Sequence, residues 1–113
     1  MNGSRVMLLG VAYKPNVGDI RESPALDLIE LLQVKGVQVA YHDPYVARVE
    51  LAGGVIESVV LDEEALESAD CVVITTDHAT YDWPWVVDNS HLIIDTRNAT
   101  GSIKTEKRWT ARA

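Results

Sequence analysis

Apolar and polar positions along this chain fall into short blocks of two periods. Arg5 to Gly10 (RVMLLG) is an almost continuous apolar run and reads as a buried strand. From Pro24 the apolar positions Ala25, Leu28, Ile29 and Leu32 recur at helical spacing. Ser23 is a good N-cap for that helix, Pro24 suits its first position and Gly36 is a plausible stop. Val37 to Tyr41 (VQVAY) predicts a second strand, closed by the turn pair Asp43-Pro44. Tyr45 to Gly54 is compatible with a short helix, and Val55 to Val60 with a short edge strand. Asp62 to Ser68 (DEEALES) predicts a helix whose first-turn acids match the helix dipole. Asp70 to Thr75 and Leu92 to Asp95 are two more apolar strands, with a short helix expected over Trp83 to Val87. The tail after Asn98 (ATGSIKTEKRWTARA) carries little pattern and fits a last strand, a last helix or a frayed end.

Short strands alternating with helical stretches imply βαβ units. The expected class is α/β, with a mostly parallel sheet of four to five strands covered on both faces. Ligands of such sheets bind in the crevice beyond the carboxyl ends of the strands, so the residues that follow each strand matter most. Tyr13, Lys14, Asn16 and later Arg21 follow the first strand, and His42 and Asp43 follow the second. Thr75, Thr76, Asp77 and His78 follow the third, and Thr96, Arg97 and Asn98 the last. Two or three cations would thus converge with several hydroxyl and amide groups on one edge.

Charge sharpens that picture. The formal net charge is −7, whereas a nucleic-acid duplex needs clustered Lys and Arg, so no nucleic-acid partner is expected. A cationic patch in so acidic a chain suggests a small anionic ligand. The 113 residues suffice for one compact domain and not for two. The apolar runs are far too short to cross a membrane, and no basic segment precedes a signal-type stretch. A single cysteine, Cys71, excludes an intrachain disulfide and fits a reducing cytoplasm. Within the apolar run DCVVITT it reads as a structural thiol. His42, His78, His91 and Cys71 lack metal-ligand spacing, so no metal is expected. No serine elbow accompanies His78, which argues against a hydrolase triad. His42-Asp43 ends a strand where dinucleotide folds place a ribose-binding acid, but Asp43-Pro44 is a common turn pair and the turn is the preferred reading. Trp83-Pro84-Trp85 could stack on a base, although core packing or a domain contact is preferred.

Four stretches carry a family likeness. LGVAYKPNVGDIRESPALDLIELL, then VAYHDPYV, DCVVITTDH and IIDTRN, in that order, resemble the C-terminal domain of the UDP-glucose/GDP-mannose dehydrogenase family, the NAD-dependent nucleotide-sugar 6-dehydrogenases. The likeness runs from about Arg5 to Asn98, which sets the expected domain at 5–98 and leaves 99–113 as a tail. It implies a three-layer, Rossmann-like domain that holds the UDP part of a UDP-sugar. It also implies an NAD-binding domain and a central region as partners in the complete enzyme, which is expected to be a homo-oligomer. That enzyme would oxidise the sugar C6 alcohol to a carboxylate through a cysteine thioester. The family's glycine-flanked cysteine has no counterpart here, since Cys71 lies within a strand, and no catalytic residue is expected in this chain. There is also no GxGxxG, so NAD is expected to bind mainly to another domain. The chain therefore reads as one domain of such an enzyme. The alternative is a stand-alone nucleotide- or phosphate-binding module, or a subunit-docking module, without redox activity.

By resemblance, Tyr13 and Lys14 match loop positions that contact the nucleotide-sugar. Arg97, in DTRN, matches a substrate-binding arginine, and Arg21, in DIRES, matches one that reaches toward NAD. The loop after the first strand would then replace a backbone cradle with side chains, Lys14 as a point charge and Arg21 as a planar fork of donors. Plainer roles stand beside these: packing for Tyr13, pairing with Asp19 or Glu22 for Arg21, and pairing with Asp95 for Arg97.

Overall fold

The computed structural model describes residues 4–12, 23–51, 53–97, 99–101, 103 and 108–110. Strand β1 (Arg5–Leu9) leads to helix α1 (Pro24–Val34) and strand β2 (Gln38–His42). A hairpin of β3 (Arg48–Leu51) and β4 (Gly54–Glu57) follows. Helix α2 (Glu63–Ser68), strand β5 (Cys71–Ile74), helix α3 (Trp83–Asn89), strand β6 (Ile93–Asp95) and strand β7 (Arg108–Thr110) complete the chain. The main sheet has the order β2-β1-β5-β6-β7, and all its pairings are parallel. Counting only its own strands, this is the 2-1-3-4-5 order of a doubly wound fold. Its topological switch point lies between β1 and β5.

β1 explains why the sheet needs cover on both faces. Its side chains alternate, so Val6 and Leu8 join Ala25 and Ile29 of α1 in one apolar cluster. Met7 and Leu9 join Leu66 of α2 and Val86 and Val87 of α3 in the other. The helices are short and their ends are tied down locally. Asp62 accepts a hydrogen bond from Ala65 N at 2.8 Å, and Asp82 one from Trp85 N at 3.3 Å, as N-caps of α2 and α3. Gly36 follows α1 at φ 81°, the left-handed conformation that glycine adopts without strain.

Two expectations change, and an open one is narrowed. The short helix considered over 45–54 is instead strand β3, paired antiparallel with β4. Its true period is two: Val49 is buried between exposed Arg48 and Glu50 and packs on the α1 side of the core. Ser23 stands at the N-cap of α1 but does not cap it, because its hydroxyl donates to Val11 O at 2.6 Å. The tail contributes β7, which extends the sheet beside β6.

Candidate functional site

The carboxyl edge of the sheet is organised around the exit of β1. Gly10 adopts φ 87°, and a Cβ there would lie 2.4 Å from Thr76 Cβ and 2.7 Å from Thr76 O. Only glycine lets β1 and β5 leave the sheet this close together. Every backbone polar group from Gly10 to Ala12 is then used. Gly10 N donates to His42 O at 2.8 Å, and Gly10 O accepts from the Thr75 hydroxyl. Val11 N and Ala12 N both donate to Asp43 Oδ2, at 2.8 and 3.2 Å. Val11 O accepts from Ser23, and Ala12 O accepts from the Thr76 hydroxyl at 2.7 Å.

In a dinucleotide fold the amides of this turn face a pyrophosphate. Here the carboxylate of Asp43 has taken them. The described residues of the first turn therefore do not fit the diphosphate of NAD.

Asp43 is 3% exposed. Besides the two amides, its Oδ2 meets His78 Nε2 at 2.9 Å, and its Oδ1 accepts from Tyr45 N at 2.8 Å. The Asp43-Pro44 turn exists, but the side chain does more than close it: it joins the ends of β1, β2 and β5. Sequence reading missed this, because the partners lie 31 to 35 residues away and leave no local signal. His78 is fully buried, with the Tyr45 ring tilted against it at 4.8 Å between ring centroids.

An aromatic group continues from there to the start of α3. Tyr81 contacts His42 edge-on at 5.5 Å and Trp83 at 5.0 Å. The Tyr81 hydroxyl donates to His42 O at 2.8 Å and meets His42 Nδ1 at 3.1 Å. Because the phenol has one hydrogen, the second contact calls for the Nδ1–H tautomer of His42. Burial lowers the pKa of His42, partly offset by nearby Asp43. Burial likewise raises the Tyr81 phenol, and Asp43 adds to it. Trp83 and Trp85 pack partly against the core, in keeping with the packing role preferred for them.

At the end of β6, Asp95 is fully buried. It accepts from Arg97 N at 3.0 Å, Ala99 N at 3.1 Å, Thr100 N at 2.8 Å and the Thr100 hydroxyl at 2.6 Å. Burial pushes its pKa up, but the Thr100 hydroxyl and the backbone donors outweigh this and hold it below the ordinary value. With Asp95 so occupied, the Arg97 guanidinium turns elsewhere: its Nε lies 3.5 Å from Asp77 Oδ1. The Arg97 side chain stays 44% exposed. Asp77 Oδ1 is a buried atom without a hydrogen-bond partner among the described residues, so its contact with Arg97 is a loose ion pair. The plainer role for Arg97, pairing with Asp95, is thus corrected to pairing with Asp77.

Arg97 therefore stands where it was expected, at the carboxyl edge near the 75–78 loop. Tyr13, Lys14 and Arg21 lie outside the described residues. Cys71 opens β5 at the opposite, amino edge, and burial raises its thiol pKa, as for an unreactive thiol. Among the described residues no group of three or more His, Cys, Asp or Glu could hold a metal ion, and no helix is long and apolar enough to cross a membrane.

Residues 7–102 match the family model described as "UDP-glucose/GDP-mannose dehydrogenase family, UDP binding domain". The chain belongs to this family. It is 36% identical over 88 residues to the UDP-glucose 6-dehydrogenase TuaD of Bacillus subtilis, covering 76% of this chain and 18% of that protein. It is 35% identical over 98 residues to a UDP-N-acetyl-D-mannosamine dehydrogenase of Pyrococcus horikoshii, covering 82% of this chain and 21% of that one. Among solved structures, the UDP-N-acetyl-mannosamine dehydrogenase Cap5O from S. aureus superposes with a TM-score of 0.73 at 30% identity, over 97% of this chain and 27% of that one. The chain spans about a fifth of the length of the curated relatives it matches. It is the family's UDP-binding domain, and the alternative of a stand-alone or docking module is not favoured.

Proposed function

We propose that this domain binds the UDP part of a UDP-sugar for an NAD-dependent nucleotide-sugar 6-dehydrogenase, with the substrate held at the β1/β5 switch point. The carrying observation is Arg97, half-exposed at that edge on a backbone anchored by buried Asp95. A guanidinium fork suits the oxygens of a diphosphate or of a sugar. Tyr13 and Lys14, which follow the clamped Gly10–Ala12 turn in sequence, are assigned to the same substrate. Arg21 is assigned to the cofactor side of the cleft. NAD itself, the catalytic cysteine and most contacts to the sugar are assigned to partner domains, in a homo-oligomeric enzyme of the cytoplasm. The occupied amides of the first turn support placing NAD elsewhere.

Titrating the chain with UDP, NAD and ATP in parallel tests this. Half of a shared cleft should bind UDP with a dissociation constant on the order of millimolar, and NAD more weakly still. Equal affinity for all three would mean a general phosphate site and would overturn the reading. Given UDP-glucose and NAD, the chain alone should produce no NADH. Steady turnover above a boiled control would contradict the assignment of chemistry to other domains.

A further inference from the structure

We propose that the buried Asp43–His78 pair is a positioning device that sets the Asp77–Arg97 pair against the exit of β1, and so holds Arg97 in its ligand-binding pose. The inference rests on the reading that UDP binds at this edge.

The geometry forms a continuous chain of contacts. Asp43 Oδ2 gathers Val11 N, Ala12 N and His78 Nε2, three donors from two different loops. A carboxylate with donors from several segments, 3% exposed, holds those segments at fixed separations, because each lost donor would leave buried charge under-satisfied. The loop that carries His78 is pinned further back as well. The hydroxyls of Thr75 and Thr76 bond to Gly10 O and Ala12 O. The Tyr45 ring lies against the His78 ring, and the Tyr45 N–H is held by Asp43 Oδ1. The 75–78 loop is thus gripped at both ends, with Asp77 between them.

Asp77 is the one residue in this grip whose side chain turns to Arg97. Asp77 is carried on this pinned loop, whereas the Arg97 side chain is 44% exposed, so of the two partners at 3.5 Å the carboxylate is the more fixed. The backbone of Arg97 is set separately, by Asp95. The residue therefore has an anchored base and a tip directed by the His78 loop. Residues that never touch the ligand would in this way decide where the fork of donors points.

The test uses the chain with His78→Leu, which removes the donor to Asp43, and His78→Gln, which retains an N–H donor. Two signals are read, the Arg97 Nε–H resonance and the affinity for UDP, with melting curves to confirm that each variant is folded. His78→Leu should move the Arg97 Nε–H resonance and weaken UDP binding about tenfold, as expected when a charge-assisted contact is misplaced. His78→Gln should recover most of both. If His78→Leu does not fold, Asp43→Asn, with the same shape and no charge, is read in the same two ways. A folded His78→Leu or Asp43→Asn variant with unchanged Arg97 signal and unchanged UDP affinity overturns the proposal. The two readings fail separately. If the wild-type chain shows no UDP binding at all, the UDP reading fails, while the Arg97 resonance still decides whether His78 positions that side chain.

Discussion

Arg97 pairs with Asp77 across the carboxyl edge of the sheet, 3.5 Å from Nε to Oδ1, and not with its sequence neighbour Asp95. Asp95 is fully engaged by three backbone N–H groups and a hydroxyl, so the guanidinium is left at the surface of the crevice. Arg97→Lys keeps the charge and loses the planar fork. UDP binding should weaken by about 1.5–3 kcal/mol, the value of a hydrogen bond to a charged group. The melting temperature should change little, because an exposed ion pair contributes at most about 1 kcal/mol. Affinity and melting curves measured on the same two proteins check both halves.

Gly10→Ala should damage the fold itself. The added methyl would meet Thr76 Cβ at 2.4 Å, Thr76 O at 2.7 Å and Thr76 Cα at 2.9 Å, and φ is 87°. Two of those three atoms are backbone and cannot swing away. Left-handed strain and overpacking together should cost about 2–5 kcal/mol. Chemical denaturation of the variant against the wild type gives the value.

Much of this was legible in the sequence because it is local. β1, α1, β2, α2 and β5 each carry their own periodicity, α2 also carries its own cap in Asp62, and the edge where ligands gather follows from a parallel sheet. β3 was not legible, since four residues alternating among charges resemble one turn of helix until the hairpin partner is known. Ser23 looks like a cap by its position, but a carbonyl twelve residues earlier competes for its hydroxyl. The Asp43–His78 pair and the Asp77 partner of Arg97 depend on which strands become neighbours, and no spacing encodes that. Asp43 read as a turn residue because the turn is its local role, while its buried role is set by loops from two other strands.

Asp95→Asn should destabilise the domain at neutral pH, by about 1–3 kcal/mol, through loss of a charged acceptor for buried donors. The folded carboxylate titrates below its ordinary value of 3.8, so its contribution is fully present above that pH. It is lost as pH falls through the folded pKa. The stability gap between wild type and variant should therefore stay constant from neutral pH to about pH 5 and shrink below 3.8. Denaturant midpoints across that range measure it. A gap that widens in acid would contradict the bonding assigned to Asp95.

At the alkaline end, burial, with Asp43 and Glu57 nearby, raises the Tyr41 phenol from 10.0 to about 12. Its hydroxyl donates to Val46 O at 3.0 Å. The contribution is complete below pH 10 and is lost as pH rises from 10 to about 12. Tyr41→Phe should cost about 0.5–1.5 kcal/mol at neutral pH and flatten the alkaline loss of stability over that window. Melting temperatures of the two proteins between pH 9 and 12 provide the comparison.

UDP is proposed to bind at the carboxyl edge of this sheet, at the switch point between β1 and β5. An amide-resolved titration of the chain with UDP tests it most directly. Saturable shifts centred on Gly10–Ala12, the 75–78 loop and Arg97 are expected. Shifts confined to the amino edge, around Arg5, Asp70 and His91, would contradict it.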